Sequence, residues 1–355
     1  MNIIDRYLAT SIIGSTLLVL MVLAALFSFI QFVDALGDIG KADYQLSDAV
    51  RYVLFSLPRQ TYEVFPMAAL LGATLGLSAL AADSELVAMR AAGVSILQIV
   101  VVVIKIGLIL AVLMVVAGEY VVPNAQRMAE DGRNAALRIR AKYQGERGFW
   151  MRDGKSFLNI GEVLPDKSLR QVNIYLFDEN RELRQHLSSR HGTLLRDGLL
   201  QLQEVSESRL VEKRVESRKL HALEWPSSLT AELLNVFTIR PEALSLTQLY
   251  RYVGHLELNH QNAGRYELAF WQKLTSPLST VVMMVLAIPF VFGLQRSGGI
   301  GARLFTGIVL GLAYFVVSQG FGQYGLLHGI PAVIGAMLPP LLFFGAALIL
   351  LRRIR

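Results

Sequence analysis

The chain has no cysteine among its 355 residues, which excludes disulfides, thiolate metal sites and cysteine nucleophiles together. Charge is also scarce. Asp, Glu, Lys and Arg make up 17% of the residues, and none of them occurs in residues 7–33 or 304–351. Both stretches exceed the ~20 apolar residues that a helix needs to cross a bilayer. These absences favour a multispanning membrane protein over a soluble one.

Motifs for catalysis and nucleic-acid binding are missing as well. The net charge of +6 comes without a long Lys/Arg run, so no nucleic acid is expected as a partner. Gly154-Lys155-Ser156 lacks the first glycine of a phosphate loop, because that position is Phe149. The histidines show no His-Glu-x-x-His spacing, and no Gly-x-Ser-x-Gly elbow occurs. We therefore predict a non-catalytic protein with no cofactor, no metal and no catalytic residue.

Charged residues mark the ends of six apolar segments. The uncharged stretch after Arg303 is too long for one crossing, and its glycines together with Pro331 predict two helices joined by a turn. The first four segments lie between Arg6 and Asp34, Glu63 and Asp83, Arg90 and Glu119, and Lys273 and Arg296.

A polar insert separates the third and fourth segments, and its pattern is that of short antiparallel strands. Asp153-Gly154 and Arg196-Asp197-Gly198 are typical turns between alternating apolar runs. We predict an α+β membrane protein in which six transmembrane helices carry an antiparallel sandwich or jelly roll between helices 3 and 4. The predicted boundaries are 1–118 for helices 1–3, 119–268 for the β-domain with helical connectors at 122–142 and 245–262, and 269–355 for helices 4–6.

Lys and Arg in the short loops predict the orientation. With both termini in the cytoplasm, seven cations lie inside and three outside. The inner set is Arg6, Arg90, Arg296, Arg303, Arg352, Arg353 and Arg355, and the outer set is Lys41, Arg51 and Arg59. The insert then faces outward, into the periplasm of a Gram-negative host.

Residues 83–93 form the most informative cytoplasmic loop. Asp83 or Ser84 can cap a short helix that Gly93 ends. On this helix Leu86, Met89 and Arg90 share a face suited to a partner groove. The alternative is a plain helical turn between two spans.

The run Phe65-Pro66-Met67-Ala68-Ala69-Leu70-Leu71-Gly72, with Ser84-Glu85-Leu86 and Met89, resembles the lipopolysaccharide export permease family LptF/LptG. Ala263-Gly264-Arg265-Tyr266 and Gly329-Ile330-Pro331 resemble its LptG branch more closely. The resemblance covers nearly the whole chain in the same order.

The resemblance implies partners and a substrate. In this family an LptF-like and an LptG-like permease form a heterodimer that a cytoplasmic ABC ATPase dimer drives. Lipopolysaccharide leaves the outer leaflet of the inner membrane and passes over periplasmic jelly rolls, including that of a bitopic LptC-like protein, towards a bridge. The helix at 83–93 would couple to the ATPase through Glu85, the main contact, with Leu86, Met89 and Arg90.

Phosphates and sugar acids of such a substrate need cations near the outer membrane surface. The expected ones are Lys41, Arg59, Arg127 and Arg133, of which Arg59 and Arg133 match basic positions of the family better than Lys41 does. The alternative is that these loop cations only form ion pairs with Asp38, Asp43, Asp48 or Glu130, and for Arg51 we expect this alternative. Lys105, inside span 3, is expected to be structural and to reach the cytoplasmic surface.

Small residues recur at four-residue spacing in two spans: Ala68, Gly72 and Gly76, and Gly307 and Gly311. They indicate close helix packing, either within this chain or, as the family implies, where spans 1 and 5 meet the partner permease. For function, the alternative to an exporter subunit is a membrane-anchored scaffold or signalling protein that docks periplasmic β-domains without transport. An ion-coupled carrier is disfavoured, because spans 1, 2, 4, 5 and 6 lack an internal carboxylate.

Overall fold

A computed structural model of the chain describes residues 3–137, 149–154, 156–164, 168–178, 182–196, 198–211, 214–229, 241–259, 261–293 and 299–353. Within these residues, six helices are long and apolar enough to cross a membrane. The predicted number of spans is therefore confirmed.

The spans are numbered in chain order. Span 1 is α1 (Ile3–Leu36), span 2 is α2 (Leu46–Ala82), and the short helix α3 (Glu85–Ala91) follows span 2. Span 3 consists of α4 (Ile96–Val116), a π-helical turn (Ala117–Val121) and α5 (Val122–Ala136). After the β-domain come α6 (Leu246–Leu258), span 4 or α7 (Gly264–Gly293), span 5 or α8 (Ile300–Leu327) and span 6 or α9 (Ala332–Arg352).

Spans 2 and 4 form the centre of the helical bundle. In their most apolar windows 72% and 67% of the residues are buried, against 6% for span 1 and 11% for span 5. The core of the bundle joins residues of spans 1–4 and 6 and includes Leu70 and Met284. Spans 1 and 5 therefore present most of their apolar surface to lipid or to another protein.

Glycines bring spans 1 and 5 close to span 2. A Cβ on Gly72 would lie 2.3 Å from Thr16 Cα, and one on Gly311 would lie 2.5 Å from Met67 Cγ. A Cβ on Gly76 would likewise lie close to Ser11, and one on Gly307 close to Leu71. The interpretation of these glycines as packing sites within the chain is thus confirmed.

The helices extend further than the charges predicted. Span 2 begins at Leu46 instead of near Glu63, and span 4 begins at Gly264 instead of Lys273. Arg51 and Arg59, which we expected in an outer loop, therefore lie on helix α2. The reason is that a charged residue ends the apolar segment but does not end the helix. Between spans 5 and 6 the predicted turn lies at Gly329, where φ is +67°.

The β-domain lies between spans 3 and 4, as predicted. Its described strands form one antiparallel sheet in the order β1 to β6, each strand pairing with the next along the chain. The strands are β1 (Phe149–Asp153), β2 (Ser156–Val163), β3 (Leu169–Phe177), β4 (Leu183–Arg196), β5 (Leu199–Val211) and β6 (Arg214–Pro226). The predicted turns at Gly154 and Gly198 are confirmed by positive φ angles, whereas Asp197 lies outside the described residues.

One face of the sheet packs on the helices that lead back to the membrane. Leu158, Val172 and Leu202 on the strands are fully buried in one cluster with Leu249 and Tyr252 of α6. Since the same cluster includes Ala269 of span 4, the β-domain and span 4 share a continuous core.

Candidate coupling helix and outer basic cluster

The helix α3 follows span 2 after a sharp change of direction. Ser84 precedes it in the left-handed conformation (φ +59°) and makes no side-chain cap hydrogen bond. Of the two predicted caps, Asp83 or Ser84, it is Ser84 that occupies the N-cap position. Its side chain makes no cap hydrogen bond, because this backbone conformation differs from the extended one that a capping serine adopts. Gly93, with φ +95°, follows the helix as predicted.

Glu85, the expected coupling residue, begins α3 and is partly buried. Its Oε1 accepts a hydrogen bond of 3.0 Å from the Tyr7 hydroxyl at the start of span 1. Its Oε2 is buried and has no hydrogen-bond partner among the described residues. The carboxylate is thus held from one side only.

The other expected contact residues of α3 differ in accessibility. Leu86 is fully buried in the core of the bundle, and Met89 packs partly against that core. Leu86 therefore anchors α3 and offers no side chain to a partner, which corrects that part of the prediction. Arg90 is exposed, and so is Val87, at 56%. The sequence pattern missed Val87, because it follows directly after Leu86 and points away from the core.

Arg133 and Lys41 meet at one carboxylate, at the ends of spans 1 and 3 that the sequence predicts to face outward. Asp38 accepts 2.7 Å from Lys41 Nζ at one oxygen and 2.6 Å from Arg133 Nη2 at the other. These hydrogen bonds lower the pKa of Asp38, and the one from Lys41 has the larger effect. The Arg133 guanidinium also lies 5.0 Å from the Tyr52 ring centroid. We call Lys41, Asp38 and Arg133 the outer basic cluster.

The remaining outer cations have different surroundings. Arg59 pairs with Glu63 at 3.1 Å, one turn along α2. Arg127 has a buried Nε without a hydrogen-bond partner among the described residues. Arg51 is exposed and makes no ion pair with any described residue, so the pairing expected for it is wrong. Instead, ion pairing occupies Lys41, Arg59 and Arg133, because the nearby carboxylates face these three cations.

A polar junction that the sequence analysis missed joins span 3 to the connector of the β-domain. Glu119, on the π-helical turn, accepts hydrogen bonds from the Leu246 and Thr247 amides and from the Thr247 hydroxyl at 2.6–3.3 Å. Lys273 of span 4 is 5% exposed and donates to the Leu244 carbonyl. Both residues had been interpreted as span boundaries. The capping box of Ser245 and Gln248 was the one local signal of this junction.

Lys105, the charge inside span 3, has a partner within the chain. Its Nζ lies 3.8 Å from Asp5 Oδ2 at the start of span 1. The Lys105 side chain is 57% exposed, and its structural role stays a prediction.

Comparison with known proteins adds to this geometry. The sequence model of the family described as lipopolysaccharide export system permease LptF/LptG matches residues 6–353. The chain is 38% identical over 357 residues to the permease protein LptG of Escherichia coli K12, covering 99% of this chain and 98% of that protein. It is 36% identical over 343 residues to the LptG protein of Haemophilus influenzae, covering 96% of both chains.

Proposed function

The chain belongs to the LptF/LptG family of lipopolysaccharide export permeases, and from this premise we propose that it is the LptG-type subunit of an ATP-driven exporter. The observation that carries the proposal is the match of the family model and of the LptG relatives over nearly the whole chain. The membership favours export over a passive scaffold.

We propose that α3 receives the force from a separate ABC-type ATPase dimer. Leu86 anchors the helix in the bundle, while Val87 and Arg90 remain exposed for contact. Glu85 Oε2 is buried without a hydrogen-bond partner among the described residues, so a shift of α3 that uncovers this oxygen would let a partner cation form a charge-assisted hydrogen bond with it. An anchored helix with an exposed face passes a push directly to spans 2 and 3, between which it lies.

We propose that an LptF-like permease packs against spans 1 and 5. These are the two least buried of the six spans in the described part of the chain. Their glycine contacts are used towards span 2, so their other faces are free to line a cavity for acyl chains between the two permeases. Association or separation along these faces would open and close that cavity.

We propose that the outer cations bind the phosphates of lipopolysaccharide. Arg51, though expected only to form ion pairs, is exposed and, like Arg127, makes no ion pair with a described residue. Lys41 and Arg133 are held by Asp38, and Arg59 is held by Glu63. A substrate phosphate would therefore have to compete with a carboxylate at these three residues, which weakens phosphate binding there.

We further propose an inner-membrane protein with both termini in the cytoplasm and the β-domain in the periplasm. Strand β6 pairs with β5 alone among the described strands, and most of its residues are exposed. Such an edge can add a strand from a neighbouring jelly-roll protein of the LptC type. This arrangement would continue the path of the substrate towards the bridge.

Replacing Glu85 separates an exporter from a scaffold. We expect Glu85→Ala to leave expression and membrane insertion unchanged while lowering lipopolysaccharide export at least tenfold, because a hydrogen bond to a charged group is worth about 1.5–3 kcal/mol. The measurement is lipopolysaccharide reaching the outer membrane in cells that depend on the variant, with affinity purification to identify bound partners. The neighbouring exposed Asp83→Ala is the matched control. Normal export by Glu85→Ala would favour the scaffold.

A further inference from the structure

The only hydrogen-bond partner of the Glu85 carboxylate among the described residues is far away in the chain. The Tyr7 hydroxyl donates 3.0 Å to Glu85 Oε1 across 78 positions. The second oxygen, Oε2, is buried without a partner. The direction in which this carboxylate points therefore depends on one hydroxyl group.

Tyr7 itself is set firmly by its neighbours in span 1. Leu8 and Ile12 are 1% and 0% exposed and lie in the same core cluster as Leu86 of α3. The Tyr7 side chain, in contrast, is 47% exposed and contributes little to that core. The start of span 1 is thus rigidly placed, while the Tyr7 hydroxyl is available for a specific bond.

The same turn of span 1 also contacts span 3. Asp5, two residues before Tyr7, lies 3.8 Å from Lys105 of span 3. The beginning of span 1 therefore carries one polar link to α3 and one to α4. Because both links start from the same turn, a displacement of α3 or α4 would act directly on the beginning of span 1.

We propose that Tyr7 is a positioning residue for coupling: it orients Glu85 for the ATPase and transmits displacement of α3 to span 1. This inference rests on the proposed function, since it assumes that α3 binds the motor. A bond between α3 and the start of span 1 gives the motor a direct connection to a helix that faces the proposed cavity. Without the hydroxyl, α3 would still bind the ATPase through its exposed face, but span 1 would no longer follow it.

Tyr7→Phe tests the proposal, because it removes the hydroxyl and keeps the ring. The complete complex, purified with its ATPase and reconstituted in proteoliposomes, is assayed for lipopolysaccharide released per ATP hydrolysed. We expect this ratio to fall about tenfold, the size of a lost hydrogen bond to a charged group, while the ATPase copurifies at wild-type stoichiometry. A ratio within twofold of wild type would overturn the proposal.

Two further variants keep the result interpretable. Tyr120→Phe removes another exposed hydroxyl, one that makes no hydrogen bond within the described ranges, and should leave the ratio unchanged. Tyr7→His retains a ring N–H donor. If Tyr7→Phe fails to assemble, coupling by Tyr7→His supports the proposal and uncoupling contradicts it. Absence of ATP-dependent release by the wild-type complex would instead refute the proposed function itself.

Discussion

At the scale of residues, Asp38 determines what two outer cations can do. From the sequence, Lys41 was chosen by its charge and Arg133 also by its family position, with pairing to Asp38 as one alternative among four carboxylates. That Asp38 binds both cations at once was not predicted. That contact joins residues 95 positions apart, and no local pattern reports such a distance. The prediction that Leu86 contacts a partner was wrong for a related reason. Helical spacing predicts which residues share a face, but not whether that face points to the core.

Asp38→Asn should make the outer basic cluster a better phosphate site. Asparagine has no charge to compete with a phosphate for Lys41 and Arg133, so we expect crosslinking of a photoreactive lipopolysaccharide at this site to rise about threefold to tenfold. Asp34→Asn, an exposed control without a described ion pair, should change nothing. Equal or weaker crosslinking by Asp38→Asn would count against a substrate role for the cluster.

The pH dependence of this cluster has a definite sign. The pKa of Asp38 lies below its ordinary value of 3.8, so its contribution to stability is complete above that value. The contribution is lost as the pH falls through the lower folded-state pKa. The difference in the free energy of unfolding between wild type and Asp38→Asn should therefore be constant between pH 6 and 8.

At the scale of elements, spacing predicted contacts better than it predicted boundaries. Gly72, Gly76, Gly307 and Gly311 were recognised because small residues at four-residue intervals fall on one helical face, and all four lie at helix contacts. The π-helical turn at Ala117–Val121 lies directly before Val122 and Pro123, and it was not predicted from the sequence. The predicted boundaries of spans 2 and 4 lay inside the helices, because a charged residue ends an apolar segment without ending the helix.

Gly72→Ala should destabilise the pairing of spans 1 and 2. Its new methyl group would lie 2.3 Å from Thr16 Cα, a backbone contact that only movement of a whole helix can relieve. Overpacking of this kind typically costs about 1–3 kcal/mol, so the melting temperature in detergent should fall by several degrees.

Gly14→Ala is the matched control for that substitution. Gly14 also lies in a transmembrane helix, but a Cβ there meets no atom within 4 Å. Its melting temperature should stay the same or rise slightly, because alanine favours the helix over glycine. Similar losses in the two variants would mean that the close approach of spans 1 and 2 is not the cause.

At the scale of the whole molecule, the six spans and the antiparallel insert could be predicted because both depend on averages over many residues. A prediction from a long uncharged stretch, or from alternating strands between turns, does not depend on any single residue. The order of the strands in one sheet follows the common preference for neighbouring strands to pair. The shared core of the sheet with α6 and span 4 was not predictable, since it depends on how the domain folds back on its own connector.

The absence of cysteine makes the orientation directly measurable. Single substitutions Ala88→Cys on α3, Ser217→Cys on β6 and Arg353→Cys at the end of span 6 each introduce the only thiol, at an exposed position. In cells with a permeabilised outer membrane, an impermeant maleimide should label position 217 alone. Positions 88 and 353 should react only after the inner membrane is opened. Labelling of 88 or 353 before that step would reverse or break the proposed topology.

The most direct test of the account is ATP-driven release of lipopolysaccharide by the reconstituted complex. The chain is purified from native membranes with its bound partners, placed in proteoliposomes loaded with lipopolysaccharide, and supplied with a soluble jelly-roll acceptor. We predict transfer to the acceptor that requires ATP and is lost in Glu85→Ala. Purification of the chain without a second permease and an ATPase, or transfer that proceeds equally without ATP, would contradict it.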